Sequence, residues 1–181
     1  MATLPRVDEL IALPIRSQVA FAARCAQRVH HLFKLDGPGD RNAELLVERA
    51  VQSAEYFATG RISLEVANAD NEVLDMVRSL ANRGEYGKNA APRAGFSACY
   101  AAQAAHRARR DPSPVGEYAE AAARLMIEAV SIAPPGREDA AIRASRGDFE
   151  KLAALMSGQS SELGDLIDTG EDGPLGPLWP V

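Results

Sequence analysis

The chain has 181 residues, 46% of them hydrophobic and 25% charged, with a formal net charge of −5. This length suits one domain with a full core, and the composition excludes disordered and fibrous proteins. The sequence has no apolar run of roughly 18 residues, so we expect no membrane segment. It shows no signal-peptide pattern, and two cysteines cannot build a disulfide framework, so we expect a cytoplasmic protein.

Apolar residues in the first half of the chain recur at alternating steps of three and four, which is typical of amphipathic helices. The first helix is predicted from Ile15 to Phe33 and ends before Gly37-Pro38-Gly39. A second begins at Asp40, whose side chain can cap it, and ends at Gly60. A third runs from Ser63 to Gly84.

The second half predicts three more helices, separated by breaks rich in proline. The fourth, from Pro92 to Arg109, contains so much alanine that neighbouring helices can approach it closely, and we place it centrally. The fifth carries Tyr118 to Ile132, and the sixth runs from Arg137 to Ser157. Because no segment shows the alternation of a strand, we predict an all-α, single-domain bundle of about six helices over residues 1–157.

Residues 158–181 are predicted to form an acidic, proline-containing tail that is extended apart from a helical turn at 161–167. The tail holds five acidic and no basic residues, whereas the rest of the chain has 20 of each. A neutral bundle argues against a nucleic-acid-binding protein, which needs a basic surface.

The tail also carries the one tryptophan of the chain, Trp179, close to Leu175 and Leu178. Such a cluster is typical of an anchor that fills an apolar pocket. The pocket belongs either to the chain's own bundle, which we favour, or to a partner protein or a second copy of the chain. In the last case the chain would form a homo-oligomer. The predicted partner-binding residues are Trp179, Leu178, Leu175, Asp165, Asp168, Glu171 and Asp172.

Residues that could carry chemistry are few and poorly spaced. His30, His31 and His106 lack the Glu-x-x-His spacing of helical metal sites, so we predict no metal and no cofactor. Cys99 and His106 share a helix face but lie about 10 Å apart along the axis, too far for a nucleophile and its base. The acidic pairs on the helices have arginine neighbours and are interpreted as surface ion pairs. The sequence therefore favours a non-enzymatic protein and indicates no catalytic residue.

Three stretches of the sequence carry a family resemblance: a helix with Cys25-Ala26-Gln27-Arg28-Val29 and a closing Leu32-Phe33, a turn at Gly60-Arg61-Ile62-Ser63, and the alanine-rich run Pro92–His106. Together they resemble a family of small helical bacterial immunity proteins of polymorphic toxin systems. The resemblance spans about residues 15–131 and implies that the chain binds a cognate toxin domain and blocks it. The alternatives are a small helical enzyme or ligand-binding protein with a cleft near Cys99 and His106, and a generic helical adaptor.

Overall fold

The computed structural model describes residues 2–33, 40–61, 89–133, 136–156 and 161–179, together with Asp75. These residues form six α-helices and one 3-10 turn, and none of them lies in a strand, so the prediction of an all-α bundle is confirmed. The helices are α1 (Val7–Ile11), α2 (Ile15–Val29), α3 (Asp40–Ala58), α4 (Ala90–Ala108), α5 (Val115–Ile132) and α6 (Glu138–Leu155), and the 3-10 turn is His30–Leu32.

Five of the predicted helices correspond to α2 through α6. The predicted third helix, 63–84, lies outside the described residues except for Asp75, which is helical. The short helix α1 was not predicted from the sequence. Its first turn is closed by the side chain of Glu9, which accepts a hydrogen bond from the backbone of Arg6 at 2.9 Å. Five residues are too few to show a helical repeat of apolar positions, so the sequence pattern could not reveal it.

The ends of two helices show how local chemistry sets the boundaries. Asn89 caps α4, since its side chain accepts a hydrogen bond from Ala91 N at 3.0 Å. The helix therefore begins at Ala90, two residues before the predicted start at Pro92, and the proline sits in the first turn, where its missing N–H costs nothing. Gly60 follows α3 with φ of +72°, the left-handed conformation that glycine adopts readily at a helix end.

Helices α2 and α4 form the centre of the bundle. Every residue of α2 except Arg16 and Gln27 is buried. Helix α4 packs against α2, α3 and α5, and its alanines line the contacts. Small side chains let the helix axes approach closely, as expected for this helix. No helix in the described ranges is long and apolar enough to cross a membrane.

Candidate partner-binding segment

The C-terminal segment 161–179 contains no helix, so the predicted helical turn at 161–167 is wrong. Its backbone instead supplies hydrogen-bond partners that helix ends lack. Ile15 N and Arg16 N, in the first turn of α2, donate to the carbonyl oxygens of Glu162 at 3.1 Å and Leu163 at 2.9 Å. The first amide groups of a helix have no acceptor within the helix, so these bonds tie the segment to α2.

The last turn of α3 holds the segment in the same way. Ile167 N donates to Ala58 O, a carbonyl at the C-terminal end of α3, at 2.9 Å. The side chain of Ile167 is 3% exposed and belongs to the core. Two tight turns follow, closed by hydrogen bonds from Gly173 N to Gly170 O and from Gly176 N to Gly173 O. The segment therefore has a defined path over the bundle.

Two buried arginines of α2 lie beneath this path. Arg24 is fully buried and Arg28 is 1% exposed, and their spacing of four places them on one helix face. Asp148 on α6 is also buried and bridges them: its Oδ2 lies 3.2 Å from Arg24 Nε and 2.6 Å from Arg28 Nη2. Two guanidinium groups thus share one carboxylate, which leaves an excess of one positive charge in the interior.

Main-chain carbonyl groups of the segment accept further hydrogen bonds from the two guanidinium groups, although the buried Arg28 Nη1 has no partner among the described residues. We call Arg24, Arg28 and Asp148, with the carbonyl groups that contact them, the arginine cluster. Arg24 donates to the carbonyl oxygens of Thr169 at 3.1 Å and of Gly176 and Pro177 at 2.9 Å each, and Arg28 Nε donates to Leu178 O at 2.8 Å. Because hydrogen bonds from charged donors are the strong ones, the cluster binds the segment through its backbone.

Apolar side chains complete the attachment. Leu175 is fully buried in the core, and its carbonyl oxygen accepts a hydrogen bond from Lys151 Nζ. Trp179 is half-buried against the core, with the guanidinium of Arg137 5.8 Å from its ring centroid. Leu178 is likewise half-buried. These three predicted partner-binding residues therefore lie against the chain's own bundle.

The four acidic residues among the predicted partner-binding residues lie on the outside. We call residues 165–172 the acidic segment; the side chains of Asp165, Asp168, Glu171 and Asp172 are all exposed. Asp168 Oδ1 accepts a hydrogen bond from Gly170 N at 2.9 Å, which stiffens the turn between them. Leu166, within the same segment, is 63% exposed. The structure thus separates a docked apolar end from an exposed acidic part.

The arginine cluster is the part of the site that sequence reasoning missed. Its signal was two arginines four apart, Arg24 and Arg28, in a helix rich in alanine and larger apolar residues. Such a helix is buried on all sides, so its arginines require buried acceptors. The acceptors lie 120 or more residues further along the chain, and the sequence pattern could not identify them.

The predicted alternative is a site in a cleft near Cys99 and His106. Cys99 is 1% exposed within the core, and burial, followed by the charges of Arg110, Arg107 and Arg109, lowers the pKa of His106 from its usual 6.5. Neither residue lines the clefts of about 450, 290 and 310 Å³ that lie in the described part of the chain. No group of three metal-ligating side chains occurs among the described residues.

Both thiols are expected to be unreactive in the folded protein. Burial raises the pKa of the Cys25 thiol to about 12, and Cys99 is almost fully enclosed. Since the thiolate is the nucleophile, neither cysteine should react with Ellman's reagent under native conditions, and both should react in concentrated guanidinium chloride. Rapid reaction of either thiol in the folded state would show that the core around it opens.

The leucines of the segment offer a matched test of its docking. Leu175→Ala should lower the free energy of unfolding by about 2–5 kcal/mol, because the substitution leaves a cavity in the core. Leu166→Ala removes the same atoms from an exposed position in the same segment and should change it by less than about 0.5 kcal/mol. Urea denaturation followed by circular dichroism measures both values. Equal effects would mean that Leu175 is not buried in solution.

Comparison with known proteins gave no relative: no protein-family model, no curated protein and no solved structure matches this chain.

Proposed function

We propose that this chain is a non-enzymatic protein-binding module that presents its acidic segment to a basic protein partner. The supporting observation is that buried arginines hold the flanking backbone while four acidic side chains remain exposed. A segment that is already ordered loses little conformational entropy on binding. Its concentrated negative charge, without any lysine or arginine between residues 158 and 181, would attract a basic surface and accelerate association.

We further propose that the partner is a toxin domain and that the chain acts as its immunity protein in a bacterial cytoplasm. This part of the proposal is supported by the resemblance described above. In α2 the residues that carry the resemblance are mostly buried: Cys25, Ala26 and Val29 all belong to the core. The residues that carry the resemblance therefore concern the packing of the bundle. The proposal that the partner is a toxin is supported by the family resemblance alone.

The competing functions have less support in the structure. A thiol enzyme would need Cys99 or Cys25 in an accessible, electropositive setting, and both are buried in the core. The acidic pair of Glu117 and Glu120 lies on the outer side of α5, where Glu120 is 3.9 Å from Arg124 in an ordinary surface pair. A generic adaptor would use the same exposed segment, and only the identity of the partner separates it from an immunity protein.

The test is a titration with the protein encoded beside this one, if that neighbour has a basic toxin domain. We expect tight binding that weakens with salt. Neutralising the acidic segment with D165N, D168N, E171Q and D172N should weaken binding by at least about tenfold, because each exposed interface charge contributes to attraction. A matched control neutralises four exposed acids on the helices, with E44Q, E48Q, E117Q and E150Q.

Two results would overturn the proposal. Equal losses in the two neutralised variants would show that net charge, and not the acidic segment, drives association. The absence of binding to a purified, folded toxin neighbour would remove the immunity function. Protection of cells that express the neighbour, lost in the first variant and kept in the second, would support both parts of the proposal.

A further inference from the structure

A trough lies at the turn between α1 and α2, and the charged side chains among its described lining residues are all acidic. It consists of two of the clefts, of about 290 and 310 Å³, which meet at Ile11, Leu13 and Glu162. Asp111 and Gln18 line the first cleft and Met156 lines the second. No lysine or arginine among the described residues lines either one.

The buried side chain of Gln18 lacks a hydrogen bond that the trough could supply. Gln18 is 5% exposed, and its Nε2 donates to Leu13 O at 2.7 Å, which fixes the orientation of the amide group. The other amide atom, Oε1, receives no hydrogen bond from any described residue. A buried acceptor without a donor is unfavourable, so a ligand that donates a hydrogen bond there would gain affinity.

Ile11 and this oxygen both lie beside Gly116. A Cβ built on Gly116 of α5 would lie 2.6 Å from Ile11 Cγ1 and 3.3 Å from Gln18 Oε1, so both atoms sit over the same glycine. The side chain of Ile11 is 52% exposed. An exposed side chain changes rotamer within nanoseconds, and a ligand can reach the buried Oε1 from the trough only if such a change exposes it.

We propose that this trough binds an alkylammonium group, with the ammonium on Asp111, Glu162 and Gln18 Oε1 and the alkyl chain on Leu13 and Met156. An ammonium carries three hydrogen-bond donors and no acceptor, which matches a set of two carboxylates and one amide oxygen. The apolar walls suit the alkyl chain. The group can come from a free alkylamine or from the lysine side chain of a peptide. The proposal does not depend on the acidic segment or on a toxin partner.

Titration of the ¹⁵N-labelled full chain with pentylamine tests the proposal by NMR. We expect saturable shifts of the Gln18 side-chain amide and of the Asp111 and Glu162 backbone amides. Pentanol, which has the same alkyl chain without the charge, should bind at least about tenfold more weakly, because the charged hydrogen bonds are lost. A short peptide with one lysine, compared with its glutamine counterpart, separates the sources: binding of the lysine peptide supports a peptide ligand, and binding of pentylamine alone supports a free amine.

Variants locate the site within the trough. D111N/E162Q should weaken pentylamine binding by about tenfold or more, whereas E171Q/D172N makes the same change in net charge outside the trough and should leave it unchanged. The proposal is wrong if pentylamine shifts no trough resonance, if pentanol binds equally well, or if both double variants lose the same affinity.

Discussion

Asp148→Asn is expected to lower the free energy of unfolding by about 3–5 kcal/mol, the range for removing one partner of a buried ion pair. The substitution leaves Arg24 and Arg28 in the interior without a carboxylate. Asparagine has nearly the same shape, so the effect isolates the charge from the packing. For a domain whose total stability is about 5–15 kcal/mol, this loss is a large fraction of the total.

The matched control for this prediction is Glu150→Gln on the same helix. Glu150 is exposed, so the same chemical change should alter stability by less than about 0.5 kcal/mol. Urea denaturation at neutral pH measures both variants. If Asp148→Asn were as mild as the control, the carboxylate would not be buried against the arginines.

Deletion of residues 173–181 should cost at least about 4 kcal/mol. The loss of Leu175 from the core contributes about 2–5 kcal/mol on its own. In addition, Arg24 and Arg28 lose three of their four backbone acceptors, the carbonyl groups of Gly176, Pro177 and Leu178. Far-ultraviolet circular dichroism follows the unfolding, since the deletion also removes the one tryptophan.

A variant with two of the acidic side chains neutralised, E171Q/D172N, serves as the control for the deletion. E171Q/D172N changes two exposed side chains directly before the deleted residues and should leave stability within about 0.5 kcal/mol of the parent protein. A deletion that proved equally harmless would mean that the segment is not docked on the bundle in solution.

Most of the helices could be predicted because their signals are local. Alternating apolar steps and a glycine such as Gly60 are visible within a few residues of the helix that they define. The start of α4 was not predicted correctly, because Asn89 caps the helix before Pro92. Helix α1 was not predicted, because it is too short to show a repeat of apolar positions. The third predicted helix, 63–84, stays a prediction apart from Asp75.

The candidate site was harder to predict because its contacts join distant parts of the chain. The acidic residues and the anchors Leu175 and Trp179 could be proposed from the sequence, because their side-chain types set them apart from the rest of the tail. The attachment itself runs from Arg24 and Arg28 to main-chain carbonyl groups, and every residue has a carbonyl group. Only the fold shows which carbonyl groups lie within hydrogen-bond distance of a guanidinium group.

The central claim is that Asp148, the two arginines and the C-terminal segment act as one unit, and a double-mutant cycle tests it most directly. Asp148→Asn is measured in the full chain and in the chain ending at Asp172, both with a stabilising osmolyte so that each variant folds. Without residues 173–181, water can reach the guanidinium groups. The substitution should therefore lower the free energy of unfolding by at least about 1 kcal/mol less than it does in the full chain. Equal costs in the two chains would contradict the account.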